Sequence, residues 1–198
     1  MEIVFATGNK DKLKQVELML KDIVLKSPKD LGYENFEVDE DKDTLEGNAY
    51  KKAMTFYNLT KIPTFSDDTG LFVEALDNRP GVFAHRYAGI NATYKDNRVK
   101  LLNELSGKEN RKAYFKTVVC FVDKNSKAHY FEGRLNGVIT EKEIGPYDFG
   151  YDQIFKPDNS NLALGQMKAS EINEISHRSK AIKNFVDFLG KEYIWKYS

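Results

Sequence analysis

Residues 5–12 read Phe5-Ala6-Thr7-Gly8-Asn9-Lys10-Asp11-Lys12, FATGNKDK. They follow the apolar run EIVFA and precede Leu13, Val16 and Leu20, which recur at helical spacing. The stretch therefore predicts a strand, a tight turn and a helix over about residues 11–21, the opening of an α/β fold. Lys10 and Lys12 fall in that helix's first turn, where the positive end of the helix dipole disfavours cations. Backbone N–H groups at a helix start, the Asn9 amide and Lys12 together form a set able to hold phosphate oxygens. The turn is neither a Walker A loop nor GxGxxG, so taken alone it reads as a solvated turn with surface lysines.

Outward from the turn, the chain alternates helix and strand, then inserts a hairpin. IVLKS predicts a second strand, followed by the acidic stretch YENFEVDEDKD. A helix is expected from near Thr44, with Asp43 and Glu46 in capping-box spacing, running through LEGNAYKKAMTFYNL to a stop before Pro63. TFSDDTGLFVEAL reads as strand, carboxylate turn, strand. NRVKLLNELSG predicts a short helix closed by Gly107. KAYFKTVVCFVD and KAHYFEGRLNGVIT predict a long hairpin turning at Lys124-Asn125-Ser126. A last helix from near Ser176 keeps Ile182, Phe185, Val186 and Leu189 on one face. The sheet is expected to be mixed, not purely parallel.

The 198 residues suffice for one well-packed domain, or one domain of two lobes. Thirty basic and thirty acidic residues cancel, which argues against a broad nucleic-acid or anionic-membrane face. Cys120 is the single cysteine, so no internal disulfide forms; in its apolar run it reads as a buried strand residue. MEIVFATGNK has neither a basic n-region nor an apolar h-region, and no apolar run spans a bilayer. The expectation is a cytoplasmic protein with no membrane and no nucleic-acid partner.

Three further places carry chemistry. In SHRSKA, Ser176 is a good N-cap, yet His177, Arg178 and Lys180 follow in the first turn. Each cation there costs about 0.3–1 kcal/mol when charged, and a bound anion or an electron-rich base edge would remove the conflict. Asp67 and Asp68 are adjacent, so an extended chain sends them to opposite faces. With Asp39, Glu40, Asp41 and Asp43 upstream and no His or Cys beside them, one or two of these acids suit a hard cation such as Mg²⁺, and the others read as a solvated acidic loop. In DFGYDQIF, Phe149 and Tyr151 are large loop aromatics. Either plugs the core edge or offers a stacking surface to a flat base.

FATGNKDK, TLEGNAYKKA, SDDTGLFVEAL with PGVFAHRYAG, DFGYDQIF and ISHRSKA, in that order, resemble the inosine triphosphate pyrophosphatase family over nearly the whole chain. The resemblance implies one domain over residues 1–198, a long mixed twisted sheet with helices on both faces, and two lobes around a central cleft. It implies hydrolysis of ITP, dITP and XTP to the monophosphate and pyrophosphate with Mg²⁺, and a homodimer. Thr7, Gly8, Asn9, Lys10, Asp11 and Lys12 correspond to the triphosphate grip, assisted by Lys52. Asp68 corresponds to the catalytic acid with Thr69 touching substrate, and Glu40 with Asp68 to the metal-binding carboxylates. Phe149, Gly150, Tyr151 and Asp152 correspond to the base loop, and Ser176, His177 and Arg178 to the readers of the base edge. The family's lysine five residues before that histidine is here Ile172; Lys168, four residues earlier, shares its face if the segment is helical. Gln166 stands where an acid is common.

The expected reaction is attack by water on the α-phosphorus, with Mg²⁺, Lys12 and Lys52 stabilising the departing pyrophosphate. Asp68 either ligates the metal or deprotonates the water. Arg178 carries only donors, which favours a 6-keto purine over adenine. A pyrophosphatase for modified pyrimidine nucleotides, a non-catalytic purine nucleotide sensor and an RNA-binding module are the alternatives. The first conflicts with SHR and DFGYD, the second with Asp68 and its acidic neighbours, the third with neutral charge.

Overall fold

The computed structural model describes residues 1–17, 19–20 and 23–194, and within them leaves the side chains of Asp11, Gln15 and Ile194 aside. Strand β1 (Glu2–Phe5) leads into helix α1 (Lys10–Glu17) and strand β2 (Val24–Lys26), and β1 and β2 pair in parallel. Parallel neighbours require a crossover, which α1 supplies. Asn9 accepts from the Lys12 N–H at 3.1 Å, so the helix starts one residue earlier than expected, with a side chain satisfying one of its unpaired first-turn donors.

Helix α2 (Leu45–Thr60) is followed by strand β3 (Thr64–Val73), which pairs in parallel with β1. The α2 cap is Thr44, not Asp43: its hydroxyl accepts from Gly47 N–H at 3.0 Å. The C-terminus of α2 is set by Lys61 in the left-handed region, two residues before Pro63. The expected strand–turn–strand over TFSDDTGLFV is one unbroken strand. Its two carboxylates stay within it because each meets compensating groups on its own face.

Strand β4 (Arg79–Gly81) pairs antiparallel with β3, helix α3 is Tyr94–Glu104, and β5 (Lys112–Val122) and β6 (Ala128–Ile139) form the hairpin. Helix α3 starts three residues before the NRVK segment because Thr93 and Asp96 form a reciprocal capping box. In the hairpin turn Asp123 accepts from the N–H groups of Asn125 and Lys127, and Ser126 adopts a positive φ. Strand β7 (Phe155–Pro157) runs antiparallel to β6. Two helices follow, α4 (Ala169–Ile175) and α5 (His177–Leu189), separated at Ser176, whose extended backbone starts the last helix where the sequence places it. The sheet order is β2-β1-β3-β5-β6-β7, with β4 on β3: a mixed sheet in an α/β fold, as the alternation predicted.

The chain divides into two compact units. One comprises Met1–Asp68, Thr117–Gly133 and Arg178–Ser198; the other comprises Thr69–Lys116 and Arg134–His177. In the first, the period of two decides the layers. Ile3, Phe5, Phe65, Val119 and Phe121 pack with Val16 of α1 and Ile182, Phe185 and Leu189 of α5. The intervening residues face α2: Val4 and Ala6 meet Phe56, and Cys120 and Val122 meet Ala49, Ala53 and Tyr57. In the second unit Leu71, Val73, Leu101, Leu105, Phe115, Leu135, Ile139, Tyr151, Ile154 and Phe155 share one core.

Candidate active site

The alternation of β3 places two adjacent acids in different surroundings. Asp67 is 2% exposed and lies on the face covered by α1 and α5. Lys12 Nζ lies 2.9 Å from its Oδ1, and Arg178 Nε lies 3.1 Å from its Oδ2. The first turns of both helices thus converge on one buried carboxylate, and the two cations that seemed unpaired in the sequence share it. Burial alone would push the Asp67 carboxyl up, but Lys12, Arg178 and Lys52 outweigh it and hold it well below the usual carboxylate range. Burial also lowers the Lys12 ammonium, against the pull of Asp67.

Asp68 faces α2. Its Oδ2 accepts from Asn48 Nδ2 at 3.1 Å, and Lys52 Nζ lies 4.0 Å from Oδ1. Lys52 also donates to Glu40 Oε1 at 2.6 Å and to the Asp67 carbonyl at 2.7 Å. Lys52 is one turn after Asn48 on α2, so the i, i+4 geometry brings both side chains to Asp68. Burial pushes the Asp68 carboxyl up to about 6; Lys52 opposes that shift and Glu40 adds to it. Burial would lower the Lys52 ammonium, yet Asp68, Glu40 and Asp67 together raise it.

Glu40 and Asp68 therefore both face the Lys52 ammonium, and at Asp68 burial outweighs it. Two carboxylates of this kind fit a hard divalent ion, which takes one or two protein carboxylates and completes its shell with phosphate oxygens and water. Among the described residues no cluster of three or more His, Cys, Asp or Glu forms a self-sufficient metal cage. The donor set fits Mg²⁺ only in company with a substrate.

In the opening turn, Thr7 Oγ1 accepts from Asn9 N–H at 3.2 Å, so Thr7 and Asn9 both shape the helix start. A Cβ at Gly8 would meet nothing within 4 Å, so protein packing does not require glycine there. Lys10 is exposed, and the Asp11 side chain lies outside the described residues.

In the other unit, the base-loop candidates separate. Tyr151 is 6% exposed, belongs to the core, and donates its hydroxyl to the Ala84 carbonyl at 2.6 Å. Phe149 is 37% exposed. One aromatic plugs the core and the other presents its ring. Gly150 sits at φ +52, and the Asp152 N–H donates to the Phe149 carbonyl at 2.9 Å, closing the turn. Thr69 is half-buried on β3. Ser176 is buried, and the His177 ring stacks on Phe115 with centroids 4.8 Å apart. Lys168 does not share a helical face with Ile172: it stands at the α4 N-cap with extended backbone, exposed, while Ile172 packs against the core.

Three residues of these sites escaped the sequence reading. Asp67 was seen only as the partner of Asp68; that it is the common acceptor of Lys12 and Arg178 has no linear signal. Asn48 lay unremarked inside TLEGNAYKKA. Arg98 of α3, which donates to Asp148 and to the Gly150 carbonyl on either side of Phe149, reads in the sequence as an ordinary helix cation. Cys120 is buried in β5, as expected, and burial pushes its thiol up to about 12. Among the described residues no helix is long and apolar enough to cross a membrane.

The sequence profile of the Ham1 family matches residues 3–188. The chain belongs to the Ham1 family. This Ham1 chain is 42% identical over 189 residues to the dITP/XTP pyrophosphatase of Flavobacterium psychrophilum, covering 95% of the chain and 98% of that relative. It is 41% identical to the dITP/XTP pyrophosphatase of Aliarcobacter butzleri, over 92% and 95% of the two chains. Its fold matches the solved Ham1 protein of Staphylococcus aureus with a TM-score of 0.90 at 32% identity, covering 97% of this chain and all of that one.

Proposed function

We propose that this Ham1 chain is a Mg²⁺-dependent pyrophosphatase for non-standard purine nucleoside triphosphates, converting dITP, XTP and ITP to the monophosphate and pyrophosphate and so cleansing the nucleotide pool. The observation that carries this reading is the back-to-back pair on β3. Asp67 gathers the first-turn cations of α1 and α5, while Asp68 stands next to it with Lys52 and Glu40. Relatives at about 40% identity over almost the whole chain carry the name dITP/XTP pyrophosphatase, which supports the substrate class.

In this reading the α1 turn and Lys12 take the phosphate oxygens, and Gly8 admits them because its position is open. Glu40 and Asp68 would hold the metal, which when bound supplies positive charge against that developing on the phosphate oxygens. Lys52 stabilises charge on the leaving pyrophosphate. Asp68 is a carboxylate beside the attacking water in this reading and can accept its proton. The exposed Phe149 ring offers the base a stacking surface; Arg178, with donors only, suits a 6-keto acceptor and not a 6-amino donor.

The test is turnover of dITP, XTP, ITP, GTP and ATP with and without Mg²⁺, following pyrophosphate and orthophosphate separately. Pyrophosphate from the first three, and little from GTP or ATP, is the expected pattern. Asp68→Asn should lower kcat by roughly 10²–10⁴-fold. Orthophosphate release, or wild-type turnover by Asp68→Asn, would overturn the reading.

A further inference from the structure

The loop that presents Phe149 is fastened by a buried cation from α3. Arg98 is 2% exposed. Its Nε donates to Glu143 Oε1 at 2.6 Å, and its Nη1 donates to Asp148 Oδ1 at 2.7 Å and to the Gly150 carbonyl at 2.8 Å. The last two acceptors flank Phe149 in the chain. Tyr94, one turn before Arg98 on the same face of α3, meets the Phe149 ring edge-on at 5.6 Å and 64°. Gly150 holds the left-handed conformation that turns the loop under this fork.

This arrangement is poorly suited to stability alone. The carboxylates it uses are 34% and 61% exposed, while the guanidinium is buried. A well-packed apolar side chain in place of such a pair is often neutral or stabilising. What a planar fork adds is direction: its N–H donors are fixed relative to one another, so acceptors on both sides of Phe149 are held in register.

We propose that Arg98 is a positioning residue that sets the Phe149 ring for the purine, with Tyr94 as its backstop; this rests on the reading above, that the base stacks on Phe149. With the loop loosened, part of the interaction with the base goes into ordering it. The effect then falls on KM and not on the chemical step.

The experiment compares Arg98→Met, Arg98→Lys, Asp148→Ala, Phe149→Ala and the Arg98→Met/Phe149→Ala double variant. The readouts are dITP kinetics by pyrophosphate release and amide hydrogen exchange over residues 143–152. Arg98→Met should raise KM about 5–30-fold, within what one stacked base contributes, with kcat changed by less than about 2-fold and faster exchange at 148–150. Arg98→Lys should recover part of the loss. Asp148→Ala removes a mostly exposed side chain and should raise KM about 2–5-fold, the loss of one net hydrogen bond. The double variant should be no worse than Phe149→Ala, because both act through one ring. Unchanged KM in Arg98→Met and Asp148→Ala, a fall in kcat instead of a rise in KM, or multiplicative losses in the double variant would overturn the proposal. If Arg98→Met does not fold, Asp148→Ala decides alone. If Phe149→Ala raises KM but the Arg98 and Asp148 variants do not, base stacking stands and the positioning role falls. If Phe149→Ala leaves KM unchanged, both fall.

Discussion

Asp67 and Asp68 share a peptide bond and differ in almost everything else. One carboxyl is pulled below its ordinary range by Lys12, Arg178 and Lys52, and the other is pushed up by burial. Asp67→Asn should therefore be costly to the fold, because it leaves Lys12 and Arg178 facing each other over a neutral amide. Breaking a buried pair by removing one partner typically costs about 3–5 kcal/mol, measurable as a lower urea midpoint; a change under about 1 kcal/mol would mean the three groups are solvated in solution. The sequence told half of this. Alternation put the two acids on opposite faces, and cations in two first turns announced a missing anion. Part of that anion is internal, since Asp67 already meets Lys12 and Arg178. Arg98 was invisible, because a helical arginine four residues after a tyrosine looks the same whether it faces water or a loop fifty residues away.

Elements were most legible where one residue fixes them and least where two compete. The parallel opening, the hairpin and the amphipathic α5 all follow from periodicity. The start of α2 did not: Asp43 and Thr44 are both good caps, and which one faces the first-turn N–H groups is a matter of backbone angle. Thr44 is the one with extended backbone and its hydroxyl on Gly47 N–H. Thr44→Ala should cost about 1 kcal/mol in thermal or urea unfolding, and Asp43→Ala much less; the reverse order would restore the sequence-based cap. The unbroken β3 was missed for a different reason. Paired acids followed by Thr-Gly carry a strong turn signal, which loses when tertiary partners compensate both charges inside a strand.

For the molecule as a whole, the two acids make stability depend on pH in opposite directions. The depressed Asp67 contributes fully above its unfolded value of about 3.9, and that contribution is lost as pH falls through its lower folded-state value. Asp68 titrates near 6 in the fold and near 3.9 unfolded. The native protein thus keeps a proton that the unfolded chain has released, and stability declines as pH rises from about 4 to about 6. In metal-free buffer, the unfolding free energy of the wild type relative to Asp68→Asn should fall by about 1–3 kcal/mol over that range. A flat difference would place Asp68 in water. The fold class and family were readable from five motifs in order; the charge linkage was not, since it depends on burial. The segment boundaries of the two units carry one last consequence. The polypeptide passes between them at residues 68–69, 116–117, 133–134 and 177–178, three times inside a strand and once at the head of α5. No single scission yields an intact half: a fragment ending at 116 lacks the hairpin tip and the last helix of one unit and all of 134–177 of the other. Dissecting this enzyme by truncation, or splitting it as a reporter, should produce two partners that fold only when recombined.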